Sequence, residues 1–251
     1  MSAGITAIVT LHSDRLKRHS ESEKLVAEYR DPLLLASMEL QSRLYNILEQ
    51  DFLCYYENKA RRDLVDVYTA FLIGQFFSWT YILRRQVQFL RFSSNKSNQK
   101  LSRAIEAIQK SFSTDMYGKD DSDFMLWRGE QLAIGEIMTV SDDGELFCLQ
   151  YSQFIQKFKS ADAPFKDYFN PITEGITALV NRRSTHHPSQ HLPAGRLRRV
   201  QHFILDLIDV LDPHYLGKAS ARSQRVYSAP CCDCSECRRE AGSYGTDSGT
   251  S

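Results

Sequence analysis

The sequence lacks the short motifs that mark most common catalytic and nucleotide-binding sites. No HExxH, P-loop, GxGxxG or GxSxG pattern occurs in its 251 residues. A helical Glu-x-x-His pair, which a carboxylate-bridged di-iron bundle needs, is also missing. The acidic turn at Asp120–Asp123 lacks the rest of an EF-hand loop. The sequence therefore predicts no cofactor, and it leaves open whether the protein is an enzyme.

An excess of charge of one sign is also missing. Lys plus Arg and Asp plus Glu each number 31, so the formal net charge is zero. Because a nucleic-acid-binding protein usually carries a basic field, we expect no nucleic-acid partner.

Only two cysteines, Cys54 and Cys148, lie outside the C-terminal tail. This is not a disulfide framework spread through a fold, and no secretory signal precedes it. The N-terminal apolar run Gly4–Leu11 is too short to span a bilayer. We expect an intracellular, cytoplasmic protein, with membrane association through either terminus as the alternative.

What the sequence does contain is one long apolar stretch, Val65–Arg91, which has no charged residue from Val67 to Leu83. Apolar residues lie on nearly every side of a helical wheel, as in the central helix of a bundle or in a membrane span. The uncharged run would cover about 25 Å, against about 30 Å of bilayer hydrocarbon. Polar residues such as Gln75 lie within it and need protein partners. A buried central helix is favoured over a membrane span.

The remaining periodicity predicts an all-α fold, an irregular bundle of about six or seven helices around that central helix. Asp31-Pro32 is expected to separate a short helix from a longer one that ends near Phe52. Asp142-Asp143-Gly144 indicates a small β-hairpin. The predicted organisation is an N-terminal arm at 1–20, a helical domain at 21–216 and a disordered, Cys-containing tail at 217–251. The alternative interpretation of the arm is a reduced membrane anchor.

The tail motif CCDCSEC holds Cys231, Cys232, Cys234 and Cys237. One interpretation is a metal site, although four thiolates within seven residues would have to wrap the ion without supporting contacts. A second is S-acylation beside basic residues. The third, an unstructured tail with incidental thiols, is favoured. Three loop histidines, His186, His187 and His191, are interpreted as solvated rather than metal-binding.

Polar residues embedded in apolar helices form the other candidate site. A buried charge needs a partner, so these residues predict a buried network that fixes helix register. The alternative is an acid/base or small-ligand site made from the same residues. The candidates are Arg43, Asn46, Gln75, Arg128, Glu130 and Glu136.

The last predicted helix, Arg196–Leu211, carries its charges against the helix dipole. Arg196, Arg198 and Arg199 lie in its first turn, while aspartates crowd its end. Each such placement costs about 0.3–1 kcal/mol. We therefore expect tertiary partners for these side chains.

Four stretches together resemble an uncharacterised family of helical proteins found in fungi and bacteria. They are Tyr29–Leu48, Gly74–Leu90, Leu126–Met138 and Leu205–Asp212. The resemblance implies a helical domain from about Tyr29 to Asp212 and, for many members, an N-terminal membrane anchor. It implies no activity and no catalytic residue.

The missing catalytic motifs favour a non-enzymatic helical interaction or scaffold protein with an unknown protein partner. The alternative is a small-ligand binder or enzyme that uses the Arg/Glu network.

Overall fold

The computed structural model describes residues 28–86, 96–116, 122–160, 164–185, 192–214, 224–230 and 232–243. Within these ranges the chain is mostly helical, with one small two-stranded hairpin, which confirms the predicted all-α class. The helices are α1 (28–49), α2 (Arg62–Val65), α3 (Val67–Gln86), α4 (Lys96–Ser113), α5 (Arg128–Ile137), α6 (Tyr151–Lys159), α7 (Asn170–Thr185), α8 (Gly195–Leu211) and α9 (Ser235–Ser243). Short 3-10 turns at Phe52–Glu57 and Pro164–Phe169 precede α2 and α7.

Helix α3 is the centre of the bundle, as its apolar sequence predicts. It packs against α5, α6, α7 and the hairpin, and 13 of its 20 residues are buried. Its start differs from the prediction, because Asp66 separates α2 from α3 and its Oδ1 accepts the Val67 N–H at 2.7 Å. Residues 87–91, the predicted end, lie outside the described residues. In the described part of the chain, no helix combines the length and apolar character needed to cross a membrane.

Two buried hydroxyl groups inside α3 find hydrogen-bond partners within the protein. Ser78 Oγ lies 3.2 Å from the Met138 carbonyl oxygen and 3.0 Å from Thr139 Oγ1. Thr80 Oγ1 donates to the Phe77 carbonyl at 2.9 Å. These bonds offset the cost of burying hydroxyl groups among apolar residues.

A two-stranded antiparallel hairpin follows α5 and confirms the predicted turn. Strand β1 (Thr139–Asp142) pairs with β2 (Glu145–Cys148). Both turn residues have positive φ, 46° at Asp143 and 87° at Gly144. This is the conformation for which an Asp-Gly pair is favoured in two-residue hairpins.

The predicted break at Asp31-Pro32 is wrong, because α1 runs without interruption from residue 28 to residue 49. Its buried side includes Leu33, Leu40 and Leu44, each at most 1% exposed. The free energy gained by burying this continuous apolar face outweighs the loss of the one helical hydrogen bond that Pro32 cannot donate. The predicted arm at 1–20 lies outside the described residues.

The sequence predicts a helix from Phe124 to Met138 with Asp123 as its cap, but α5 starts later. Phe124 has φ 56° and its ring is buried against α7, where a Cβ built on Gly175 would lie 2.8 Å from the ring. Packing of this ring therefore determines the local backbone, and the helix begins only at Arg128.

Helix α8 buries its three arginines, and each finds the tertiary partners that the charge pattern predicts. Arg196 donates to four backbone carbonyl groups at 2.7–3.0 Å. Those of Ser111, Phe112 and Thr114 lie at the C-terminal end of α4 or just beyond it, and the fourth is that of Asp123. Arg198 pairs with Glu49 of α1 at 2.7 Å. Arg199 donates to the Pro230 carbonyl at 3.2 Å. Helix α8 thus joins α1, α4 and the C-terminal segment.

Candidate metal centre

Three cysteines of the C-terminal segment converge on a histidine of α8. Cys232 and Cys234 precede α9, and Cys237 lies in its first turn. Their sulfur atoms and a ring nitrogen of His202 all lie within 4.8 Å of one another. Among the described residues, no other group of three or more His, Cys, Asp or Glu side chains is close enough to share a metal ion.

The distances in this cluster match a tetrahedral metal site. His202 Nδ1 lies 3.5 Å from each of the three sulfurs, Cys232, Cys234 and Cys237 Sγ. Zinc bonds of about 2.05 Å to nitrogen and about 2.3 Å to sulfur, at tetrahedral angles, require an N···S separation of about 3.6 Å. The three nitrogen–sulfur separations therefore already match those that a tetrahedral zinc ion requires.

A hydrogen bond on the opposite side of the ring orients His202. Its Nε2 lies 2.8 Å from the Val226 carbonyl oxygen, and His202 is 2% exposed. A carbonyl only accepts, so Nε2 carries the proton and the Nδ1 lone pair faces the sulfurs. Histidine ligands of metals are usually held by such a bond from the second ring nitrogen.

Cys234 is the most deeply placed sulfur ligand and is fully buried. Its pKa is lowered by hydrogen bonding to Cys232 and by the Cys237 backbone N–H, which lies 3.4 Å from Cys234 Sγ. The pKa of Cys232 is raised by its bond to Cys234 and by burial. The cluster thus stabilises a thiolate, the form of cysteine that binds metals.

A second layer of polar contacts ties this cluster to α8. Arg225 donates from Nη2 to Asp206 Oδ1 and from Nη1 to the His202 carbonyl, both at 2.7 Å. Asp206 also accepts from the Ser235 backbone N–H at 2.9 Å, at the start of α9. A carboxylate at a helix N-terminus stabilises that helix.

The extended segment 224–230 lies along α8 and completes the attachment. Gln201 pairs with it twice, donating to the Gln224 carbonyl at 3.0 Å and accepting from the Val226 N–H at 3.3 Å. Val226 is 4% exposed. The described segments 224–230 and 232–243 therefore have defined positions against the bundle, while the rest of the predicted tail at 217–251 lies outside the described residues.

The structure changes the ligand set that the cysteine motif suggested. A histidine from α8 takes the place of a fourth thiolate, and Asp206 and Arg225 supply the supporting contacts that the tail alone lacks. Cys231 lies outside the described residues, as do His186, His187 and His191. Sequence reasoning missed His202, although a histidine within the apolar run VQHFIL was a detectable signal.

The predicted polar network is not brought together. Arg43 lies over the rings of Phe52 and Tyr68, 4.2 and 5.0 Å from their centroids. Burial lowers its pKa, and its Nη1 donates to the Leu64 carbonyl at 3.0 Å. Asn46 is half-buried in α1, with no side-chain bond recorded in the described part of the chain.

The remaining network candidates serve separate local roles. Arg128 is exposed and donates to Gln109 Oε1 at 2.5 Å. Glu130 Oε2 accepts the Trp127 N–H at 2.6 Å and thereby caps α5. Glu136 is exposed, and Gln75 Oε1 is buried without a hydrogen-bond partner among the described residues. These positions do not form one buried Arg/Glu site.

A surface cleft of about 870 Å³ lies between α2, α6 and α7. Its charged residues largely pair with each other, since Lys159 contacts Asp63 and Arg62 lies 3.8 Å from Asp66. Most charged side chains of the cleft are therefore already paired, whereas the Cys/His cluster directs four possible metal-binding atoms to one point. The cluster is the stronger candidate site.

Comparison with protein-family models, with curated proteins and with solved structures finds no match to this chain. The resemblance to a fungal and bacterial helical family thus stays a prediction.

Proposed function

We propose that this protein binds one structural zinc ion through His202, Cys232, Cys234 and Cys237. The observation that carries the proposal is the 3.5 Å separation of His202 Nδ1 from all three sulfurs. Three thiolates and one imidazole are a usual ligand set of structural zinc. Bound zinc would join α8 to the C-terminal segment.

The wider role we propose is that of a non-enzymatic helical interaction or scaffold protein. A catalytic zinc site keeps one position for water or substrate, whereas a structural site is closed by four protein ligands. The three cysteines and His202 supply four ligands, which supports a structural role. A protein partner, and membrane contact through either terminus, are parts of this proposal. Fractionation of the full-length chain and of a version lacking residues before Ser20 tests the membrane contact.

The metal is tested by elemental analysis of the full-length protein, purified under reducing conditions. We expect one zinc per chain. Cys234→Ser should lose the metal, whereas Cys54→Ser, which changes an exposed cysteine outside the cluster, should retain it. Because the four ligands already complete a tetrahedral set, Cys231→Ser should also keep zinc. A wild-type chain that takes up no zinc, even after zinc is added, would contradict the proposal.

Cobalt substitution tests the coordination in the wild-type protein, independently of the folding of any cysteine variant. Cobalt(II) in a tetrahedral thiolate site gives intense visible d–d bands, which we expect for the wild-type protein. His202→Gln should weaken or shift these bands because one of the four ligands is lost. Spectra typical of octahedral cobalt would contradict a site made of these four residues.

The structural role is tested by hydrogen exchange with and without a zinc chelator. Metal removal should speed exchange in 224–230 and 232–243, because metal binding and local folding are coupled. Helix α3 should keep its protection, since its burial depends on apolar packing. Unchanged exchange in the C-terminal segment after complete metal removal would show that zinc does not hold it.

A further inference from the structure

We infer that Arg225 is the positioning residue of the metal centre: it holds Cys234 and His202 in their metal-binding arrangement and is itself oriented by Asp206. This inference rests on the proposed zinc site and deepens it. Arg225 is not a ligand, so its effect must act through the residues that it contacts.

The argument starts from the number of elements that one guanidinium joins. Arg225 Nη2 donates to Asp206 of α8 at 2.7 Å, and Nε donates to Glu236 of α9. Nη1 donates to the His202 carbonyl at 2.7 Å and lies 3.8 Å from Cys234 Sγ. A single side chain thus contacts the backbone of one ligand, the sulfur of another, and the two helices that carry His202 and Cys237.

Charge supports the same assignment. Three thiolates and one neutral imidazole around a divalent zinc ion leave a net charge of −1 at the centre. Arg225 and Asp206 are largely buried, with side-chain exposures of 13% and 17%. A guanidinium is always charged, so Nη1 places positive charge 3.8 Å from Cys234 Sγ, where water screens it poorly, while Asp206 and Glu236 share the rest of that charge.

Geometry separates the role of Arg225 from that of a general positive charge. A planar guanidinium presents donors in several fixed directions, while a lysine ammonium is a point charge on a flexible stem. The Asp206, Glu236 and His202 acceptors use the different nitrogens of the fork. Lysine would keep the charge but could not make all three contacts at once.

The test measures zinc affinity by competition with a chromogenic chelator, using the full-length protein. Arg225→Gln should weaken zinc binding about 10–100-fold, the usual effect of removing a residue that supports metal ligands. Arg239→Gln, on α9, is the matched control, because it also removes one positive charge, while among the described residues the Arg239 side chain donates only to the Ser235 carbonyl. We expect it to change affinity less than threefold.

A spectroscopic readout distinguishes positioning from a general loss of structure. The sulfur-to-cobalt charge-transfer band should shift in Arg225→Gln, because the donor near Cys234 Sγ is lost. It should stay unchanged in Arg239→Gln. Equal zinc affinities and equal spectra for the two variants would overturn the inference.

Two further variants keep the test decisive if Arg225→Gln folds poorly. Arg225→Lys should give an intermediate loss of affinity, and wild-type affinity in this variant would overturn the need for the guanidinium fork. The losses of zinc affinity from Asp206→Asn and Arg225→Gln should be non-additive when the two substitutions are combined, because Asp206 acts partly through Arg225.

If wild-type protein binds no zinc, the proposed function fails. If it binds zinc and Arg225 has no effect, only this inference fails.

Discussion

Helices α3 and α8 are both deeply buried, but they are buried by different means. Helix α3 buries 13 of 20 residues, almost all apolar or small. Helix α8 buries 12 of 17, including three arginines, Gln201 and His202. An apolar side chain needs only a space of the right shape, whereas a buried charge needs partners at defined positions. The comparison shows that equal burial can rest on packing in one helix and on specific hydrogen bonds in another.

Removing a ring from the α3 core should have the largest effect on stability. Phe77 is 1% exposed and lies 5.3 Å from the Phe112 ring, centroid to centroid. Phe77→Ala should lower the free energy of unfolding by about 3–5 kcal/mol, because it leaves a cavity. Urea denaturation measures the loss. Phe147→Ala, at a 40% exposed ring, is the control and should cost much less. Equal losses would show that α3 is not the packing centre.

Removing a buried arginine from α8 should have the next largest effect. Arg196→Met keeps the apolar stem but removes the guanidinium donor from four backbone carbonyls, of which that of Phe112 keeps the Leu126 N–H at 3.0 Å. We expect a loss of about 2–3 kcal/mol in the same denaturation experiment. Arg103→Met, at an exposed position of α4, should be nearly neutral. A neutral Arg196→Met would mean that α8 is held by apolar packing alone, as α3 is.

The close approach of α3 and α5 should be sensitive to a single methyl group. A Cβ at Gly135 would lie 2.8 Å from the Phe77 carbonyl oxygen, while one at Gly129 meets nothing within 4 Å. Gly135→Ala should therefore destabilise the protein by about 1–3 kcal/mol. Gly129→Ala, in the same helix, should be neutral or stabilise it by up to about 1 kcal/mol. Thermal unfolding of the two variants makes the comparison, and the same shift for both would exclude backbone crowding at Gly135.

A surface ion pair should have the smallest effect, in contrast to the buried contacts of α8. Arg183 pairs with Asp51, whose side chain is 65% exposed. The hydrogen bond from Arg183 holds the pKa of Asp51 below its ordinary value of 3.8. The pair's stabilisation is therefore present above that value and is lost as the pH falls through the lowered pKa. Asp51→Asn should cost less than about 1 kcal/mol at pH 7.

Asparagine is suitable at position 51 because it tolerates the left-handed backbone found there, φ 53°. The difference between wild type and Asp51→Asn should disappear in strong acid, where the wild-type carboxyl is also neutral. Unfolding curves at neutral and acid pH provide the measurement. A difference that persists in acid would point to a cause other than the charge of Asp51.

Sequence reasoning was most successful where local signals act alone. The uncharged run of α3, the Asp-Gly turn and the bounds of α8 were all predicted closely, because periodicity and turn chemistry are local properties. The break at Asp31-Pro32 was predicted wrongly, because burial of Leu33, Leu40 and Leu44 is a tertiary effect that local rules do not include. The predicted Arg/Glu residues also do not come together, because their partners depend on the tertiary structure. Glu130 caps its own helix, and Arg43 contacts aromatic rings.

The sequence by itself determined that this is a helical protein with a buried apolar centre and unusual charges in its last helix. Only the tertiary structure decided what the cysteines can do. Cys232, Cys234 and Cys237 are neighbours in the sequence, but His202 lies 30 residues before Cys232, on α8. Metal ligands need their donor atoms within a few ångströms of one another. The number of residues between His202 and the cysteines does not predict the distance between their donor atoms. Packing of the C-terminal segment along α8 brings these atoms together.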